Sequence, residues 1–159
     1  GGGLVEHGED ITFCLTLSPD SQPVSMSTSE RYHWIHEVLF DSLKSTDIDL
    51  SFEVTDQKSP GPCFSNPVKW DLVDNHGNKL IGGAQRKSRG GVIHQGSIQS
   101  KEIRDLKLSW VDDFSKRLSE EVNNLSRNLI EEIENNSDSL SISKYGQIAW
   151  NQNRKFNIG

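Results

Sequence analysis

Residues 79–98 read Lys79-Leu80-Ile81-Gly82-Gly83-Ala84-Gln85-Arg86-Lys87-Ser88-Arg89-Gly90-Gly91-Val92-Ile93-His94-Gln95-Gly96-Ser97-Ile98. The stretch divides at a turn. Lys79 to Gln85 has the composition of a strand loosened by Gly82 and Gly83, Ser88 to Gly91 has turn chemistry, and Val92 to Ile98 predicts the next strand. Glycines inside a strand mark places where a ligand or another backbone comes close. Immediately upstream, Asn75-His76-Gly77-Asn78 is a turn signal and Lys69 to Val73 reads as a strand. Residues 63–98 are therefore expected to form a β-meander with a glycine-rich middle strand.

Working outward, Asp56 to Pro62 is a loop stiffened by Pro60-Gly61-Pro62, because proline fixes φ and restricts the residue before it. Cys63 emerges directly from this segment. Leu50 to Val54 is a short strand. Between Asp10 and Ser18 the chain alternates, with Ile11, Phe13, Leu15 and Leu17 on one face and Thr12, Cys14, Thr16 and Ser18 on the other. That is a half-buried strand. Cys14 lies on its more polar face as a small packed thiol. Residues 19–26 read as a loop. Ser27-x-x-Glu30 is a capping box, with Thr28 as a competing cap, and Tyr32, Ile35, Leu39 and Leu43 follow at helical spacing. A helix is expected from 28 to 45. His33 and His36 lie three apart on it, but no third ligand is evident, so they are read as surface or boundary histidines rather than a metal site.

From Lys101 the period is helical, with Leu106, Trp110 and Phe114 on one stripe continued by Leu118, Val122, Leu125, Leu129 and Ile133. A break is expected near Ser119, a polar linker at Asn135 to Asp138, and a last helix at Leu140 to Asn153 with Ile142, Tyr145, Ile148 and Ala149 inward. No internal repeat is present. The expected fold class is α+β, a mixed or antiparallel sheet packed against helices.

The 159 residues fit one domain, and 33% hydrophobic with 25% charged residues is ordinary globular composition. The net charge of −6 argues against a nucleic-acid surface and gives no basic patch for a membrane. No apolar run approaches the roughly 18 residues of a membrane span. Nor does Gly1-Gly2-Gly3 resemble a charged-then-apolar leader. Two cysteines without a C-x-x-C suit a reducing compartment, with free thiols.

Four features carry chemistry. Gly1-Gly2-Gly3-Leu4-Val5-Glu6-His7-Gly8 joins backbone freedom to a histidine. It is either a flexible terminus or a loop whose N–H groups approach a carbonyl or phosphate. Lys79, among small residues, is either a solvated strand lysine or a fixed cation for an anionic or carbonyl group. Cys63 is either inert or a nucleophile, and a meander that returns Lys79 beside it would favour its thiolate. His94 is either a general base or orienting donor, or a structural histidine.

Three runs decide between these readings. Cys63-Phe64-Ser65-Asn66-Pro67-Val68-Lys69-Trp70-Asp71-Leu72-Val73, then Gly77-Asn78-Lys79-Leu80-Ile81-Gly82-Gly83-Ala84-Gln85-Arg86, then Gly91-Val92-Ile93-His94-Gln95-Gly96-Ser97-Ile98 together resemble the core motif of the lipoate–biotin protein ligase/transferase family. The likeness is strongest to its cysteine-dependent octanoyltransferases, which are built on a lipoate-ligase-like scaffold. Gly1-Gly2-Gly3-Leu4-Val5-Glu6-His7 resembles the glycine-rich segment that follows an arginine pair in that family. Trp150-Asn151 with Arg154 resembles the end of its short members. The turn before Lys79 looks about one residue longer than in the transferases.

The resemblance implies a single class II biotin/lipoate-ligase-like catalytic domain over 1–159, lacking its N-terminal part. It implies that Lys79 contacts the acyl carbonyl or an acyl-adenylate, and that Cys63 carries the acyl thioester. Gly2, Gly3, Leu4, Val5, Glu6 and His7 would line one side of the acyl pocket. Gly82, Gly83, Ala84, Gln85, His94 and Gly96 would line the other. The implied reaction moves an octanoyl or lipoyl group from acyl carrier protein to a lysine of a lipoyl domain or a glycine-cleavage H-type protein. It takes place in the cytoplasm and requires no cofactor. ATP-dependent lipoate ligation, which would need ATP and Mg, is the second reading and biotin ligation the third. A non-catalytic binding partner on the same fold is the remaining alternative.

Overall fold

A computed structural model describes residues 7–44, 46–56, 63–107, 109–123 and 125–147, with Cys63 described by its backbone alone. Two compact units divide the chain, residues 1–120 and 121–159.

The first unit is built on a five-stranded sheet in the order β1-β5-β4-β3-β2. Its strands are β1 (Ile11–Leu17), β2 (Ser51–Phe52), β3 (Leu72–Val73), β4 (Lys79–Ser88) and β5 (Gly91–Ile98). Every pairing is antiparallel, which settles the expected mixed or antiparallel sheet. β4 and β5 are joined through Arg89 and Gly90, and Gly91 adopts φ 115° where a side chain would strike the Leu17 carbonyl. The alternation of β1 is realised in its burial. Leu17 is buried, Ile11, Phe13 and Leu15 pack on the core, and Cys14 is exposed on the opposite face.

Helix α2 (Thr28–Leu43) covers the inner face of the sheet. Its start follows from chemistry that is legible in sequence: the Glu30 N–H donates to Ser27 Oγ at 3.2 Å and the Ser27 N–H to Glu30 Oε2 at 2.9 Å. Ser27, not Thr28, is the cap. Ile35, Leu39 and Leu43 from this helix meet Leu72, Ile81 and Ile98 of the sheet, closed by Ile103, Trp110 and Phe114 from the helical stretch after β5. A short helix α1 (Gln22–Ser25) interrupts the expected loop at 19–26 and carries Val24 to a smaller cluster with Leu17 and Val92.

Several expectations are corrected. The strand expected at Lys69–Val73 shrinks to Leu72–Val73, because residues 68–71 form a tight turn, and the one at Leu50–Val54 to Ser51–Phe52. Cys63–Ser65 is a 3₁₀ turn rather than part of the meander. The helical stretch is broken: α3 (Lys101–Asp105) ends before Lys107, whose φ is 50°, and α4 (Val111–Leu118) starts afresh. His36 is fully buried, not a boundary residue.

In the second unit, the expected linker Asn135–Asp138 lies inside helix α5 (Arg127–Leu140), which Ser126 caps by accepting from the Leu129 N–H. A π-helical turn, Ser141–Tyr145, follows, and Ile142 and Tyr145 are exposed rather than inward. Ile148 and Ala149 lie outside the described residues.

His36 and His94 are both fully buried, with ring centres 5.5 Å apart. Burial first, and then the neighbouring His94, pushes His36 down to about 3. Burial and then the Arg31 guanidinium push His94 down to about 4. Both are therefore neutral in the fold, while the unfolded chain takes up protons below about 6.5. Stability is complete above that value and falls as the pH drops toward the folded values, by about 2 kcal/mol per histidine between pH 7 and pH 5. Urea titrations at these two pH values should show this loss, and His94→Gln should remove about half of it. Equal stability at pH 7 and pH 5 would contradict the assignment.

Candidate active site

The glycine pair of β4 sits where two side chains cross the sheet. A Cβ on Gly82 would lie 2.0 Å from Lys79 Cε and 3.0 Å from Asp71 Oδ1. A Cβ on Gly83 would lie 2.6 Å from His94 Nε2 and 2.8 Å from the Gln95 carbonyl oxygen. Lys79 thus occupies the outer face of the sheet over Gly82, and His94 the inner face over Gly83. The space a side chain would fill at each glycine belongs to a neighbour.

The pairing of β3 with β4 is irregular beside Lys79. Leu72 pairs with Ile81 but Val73 pairs with Lys79, so Leu80 is an extra residue in β4. Such a bulge bends the strand and re-aims the side chains beside it. Here it turns Lys79 back along its own strand.

Lys79 is 7% exposed, and its Nζ lies 2.7 Å from Oδ2 of Asp71, which is fully buried. The same oxygen accepts the Val68 N–H at 2.7 Å, and Oδ1 accepts the Tyr32 hydroxyl at 2.6 Å. Tyr32 in turn accepts the Gly83 N–H at 2.8 Å, on the edge of β4 that β3 leaves uncovered. Two buried charges are tolerated only when paired and fully hydrogen-bonded, and Asp71 meets that condition. The ring of Phe64 stands 5.0 Å from Lys79 Nζ. Phe64 follows Cys63 in the 3₁₀ turn, so the turn that begins at Cys63 lies over Lys79.

Asp71 is presented by a turn. Its N–H donates to the Val68 carbonyl at 2.9 Å, and Trp70, the third residue of the turn, has φ 76°. That conformation suits glycine and costs other residues on the order of 1–3 kcal/mol. The surroundings hold it there. The Trp70 ring stacks on His33 with centroids 3.8 Å apart, the Trp70 backbone N–H donates to the Glu53 carbonyl at 2.9 Å, and the Trp70 carbonyl accepts from His36 Nδ1 at 2.7 Å. A carbonyl only accepts, so Nδ1 carries the His36 proton.

The remaining expected site residues distribute as follows. Gly2, Gly3, Leu4, Val5 and Glu6 lie outside the described residues. His7 is exposed, with Nδ1 2.8 Å from Asp10 Oδ2, and Ser97 Oγ donates to the same oxygen at 2.6 Å. Ser97 is the register partner of Gly82, so His7, Asp10 and Ser97 share the outer face with Lys79. Burial opposes the charge on Asp10, but donors from Ser97, His7 and Gly8 outweigh it and hold its carboxyl at about 2. A cleft of about 470 Å³ at this corner is lined by His7, Gly8, Glu9, Asp10, Gln99, Lys101 and Arg104, and Lys79 is not part of it. Ala84 is exposed on the outer face. Gln85, His94 and Gly96 lie on the inner face instead. Gln85 accepts from the buried Arg31 at 3.0 Å and bonds His94 Nδ1 at 3.3 Å, while the Phe13 ring fills the space over Gly96. Among the described residues no group of three or more His, Cys, Asp or Glu side chains has the geometry to hold a metal ion.

Asp71 and Tyr32 are the site residues that sequence reading missed. Asp71 appeared only as the acidic member of a motif, and Tyr32 only as a helix-stripe residue.

No family profile matches the chain. Curated relatives do. It is 31% identical over 106 residues to octanoyltransferase LipM of Kyrpidia tusciae, 30% over 129 residues to that of Brevibacillus brevis and 32% over 117 residues to that of Staphylococcus aureus. These alignments cover 62%, 76% and 67% of this chain. These similarities support a family relationship to the lipoate–biotin protein ligase/transferases. The chain spans less than half the length of these relatives: 38%, 46% and 42%. The described part includes the strand that begins at Lys79 and the turn that begins at Cys63. Among the described residues no helix is long and apolar enough to cross a membrane.

The two glycines should respond differently to substitution. Gly83→Ala meets the Gln95 backbone and should lower stability by about 1–3 kcal/mol. Gly82→Ala meets chiefly the end of the flexible Lys79 side chain, with Asp71 Oδ1 at 3.0 Å. It should keep the fold but drive Lys79 Nζ from Asp71, visible as a shifted lysine in a crystal structure of the variant. An undisplaced Lys79 in Gly82→Ala would contradict the assigned packing.

Proposed function

We propose that this protein is an acyltransferase that moves an octanoyl or lipoyl group from the phosphopantetheine thioester of acyl carrier protein to a lysine of a lipoyl-accepting domain or H-type protein. The observation that carries the reading is the buried, oriented Lys79 beneath the turn that begins at Cys63, in a chain whose relatives are named octanoyltransferases. In this reaction the Cys63 thiolate attacks the donor carbonyl. A new C–S bond forms, and the donor sulfur leaves as its thiol after taking a proton. The acceptor lysine, as the free amine, then attacks the Cys63 thioester. An amide forms, the Cys63 sulfur is released, and the amine loses one proton. Thioester to amide is downhill, so the cycle calls for no ATP and no metal. Lys79 supplies a fixed donor to the carbonyl oxygen as negative charge develops there, the role in which a preorganised cation contributes most. His7, which shares the outer face of the sheet with Lys79, supplies part of the acyl pocket. A reducing cytoplasm keeps the nucleophile free. ATP-dependent ligation shares the scaffold and Lys79 but gives Cys63 no task.

The test is direct. Incubation with octanoyl-acyl carrier protein, without ATP, should add one octanoyl group to the intact mass of the protein. Cys63→Ser should abolish the adduct, and Lys79→Ala should slow its formation by about a hundredfold. Transfer to a lipoyl domain that requires ATP and survives Cys63→Ser would establish the ligase reading instead.

A further inference from the structure

We propose that Asp71 and Tyr32 are positioning residues for Lys79, set in place by the Val68–Asp71 turn and by the His36 side chain that clasps it. The inference rests on the transferase reading for what Lys79 does, but not for how Lys79 is held.

A lysine ammonium ends a four-carbon stem with many rotamers, so burial alone does not aim it. Here the stem lies in the groove left by Gly82, with Phe64 beyond its end. What fixes the remaining freedom is a closed circuit of polar contacts. Lys79 Nζ binds Asp71, Asp71 binds the Tyr32 hydroxyl, Tyr32 binds the Gly83 N–H, and Gly83 lies on the strand that carries Lys79. The circuit ties the ammonium to its own backbone through two side chains from elsewhere in the sequence. Among the described residues, Asp71 is the hydrogen-bond partner of Lys79 Nζ and takes one of its three N–H groups. The other two are directed by the first.

The turn makes the circuit possible. An extended strand through residues 69–73 would place alternate side chains on opposite faces, whereas the positive φ at Trp70 turns Asp71 so that both carboxylate oxygens are used. A non-glycine residue persists in that conformation only when its surroundings over-determine it. His36 supplies the internal part of that constraint, a buried donor to the Trp70 carbonyl from the helix that also carries Tyr32. Tyr32 and His36 lie one helical turn apart, rings 4.1 Å between centroids, so one helix face sets both the hydroxyl and the clasp. His36 therefore acts on the ammonium indirectly, through one hydrogen bond to Trp70 and a second between Asp71 and Lys79.

The experiment pairs kinetics with a signal that needs no substrate. In the protein as isolated, a ¹H–¹⁵N spectrum of lysine ammonium groups should contain a slowly exchanging Lys79 signal, identified by its loss in Lys79→Arg. Asp71→Asn should remove that signal and lower kcat by about a hundredfold, the effect of a catalytic group misplaced by about an ångström, with KM for the acyl donor within about threefold. Tyr32→Phe, which removes only an oxygen, should weaken the signal and lower kcat by about tenfold. It also carries the test should Asp71→Asn fail to fold. His36→Asn keeps a donor at the Nδ1 position and should retain most of kcat, whereas His36→Leu should behave like Tyr32→Phe. If wild-type protein shows no acyl transfer but its Lys79 signal disappears in Asp71→Asn, the positioning stands and the transferase reading falls. If the signal persists in Asp71→Asn and Tyr32→Phe, or kcat stays within twofold in both, the positioning is overturned.

Discussion

A lysine ammonium and an aspartate carboxylate have both been taken out of water in this protein, and the architecture around them is what makes that tolerable. Removing two charges from solvent costs several kcal/mol for each ion, and their mutual attraction offsets this only if the geometry is good and the remaining polar atoms are satisfied. Lys79 and Asp71 meet at 2.7 Å, and the carboxylate also accepts the Tyr32 hydroxyl and the Val68 N–H. Such a pair contributes little net stability compared with apolar residues of the same volume. In the proposed acyl transfer its value lies in delivering a cation of fixed position to a dry place.

The consequences spread through the fold. The bulge at Leu80 sends Lys79 back over Gly82, so that glycine must lack a side chain. The strained turn at Trp70 aims Asp71, so the fold must hold Trp70, and it does so with His33, Glu53 and His36. Burying His36 and His94 to serve α2 and the sheet leaves two imidazoles held neutral down to about 3 and about 4, and hence a fold that loses stability in acid. A local chemical demand is thus linked to the pH response of the whole first unit.

Much of this was legible in the sequence, and the limits have physical reasons. Period-2 alternation identified β1, and the Ser27–Glu30 capping box identified the start of α2, because both signals are local and nothing overrides them. The glycines of β4 signalled a close approach, and the motif around Lys79 carried the family. What approaches those glycines was not legible, since Lys79 and His94 reach them through a bulge and a strand register set by tertiary pairing. The strand expected at Lys69–Val73 lost its first three residues for a related reason. Val68 to Asp71 contains no glycine to announce a positive φ, and it is tertiary contacts, among them those from α2 and Glu53, that make one bearable at Trp70. His36 read as a boundary residue because its partner, a backbone carbonyl 34 positions away, leaves no mark in the local sequence. The linker expected at Asn135–Asp138 lies within α5, whose polar residues sit on a helix exposed on all sides.

The account stands on Lys79 and Asp71 being one energetic unit. A double-mutant cycle on stability tests this most directly, using Lys79→Met, Asp71→Asn and the pair together at neutral pH. Each single change leaves one charge buried without its partner and should cost about 3–5 kcal/mol. The double variant should cost less than the sum of the two by at least about 2 kcal/mol. Costs that add to within about 0.5 kcal/mol would show that the two residues do not act on each other, and would contradict the account.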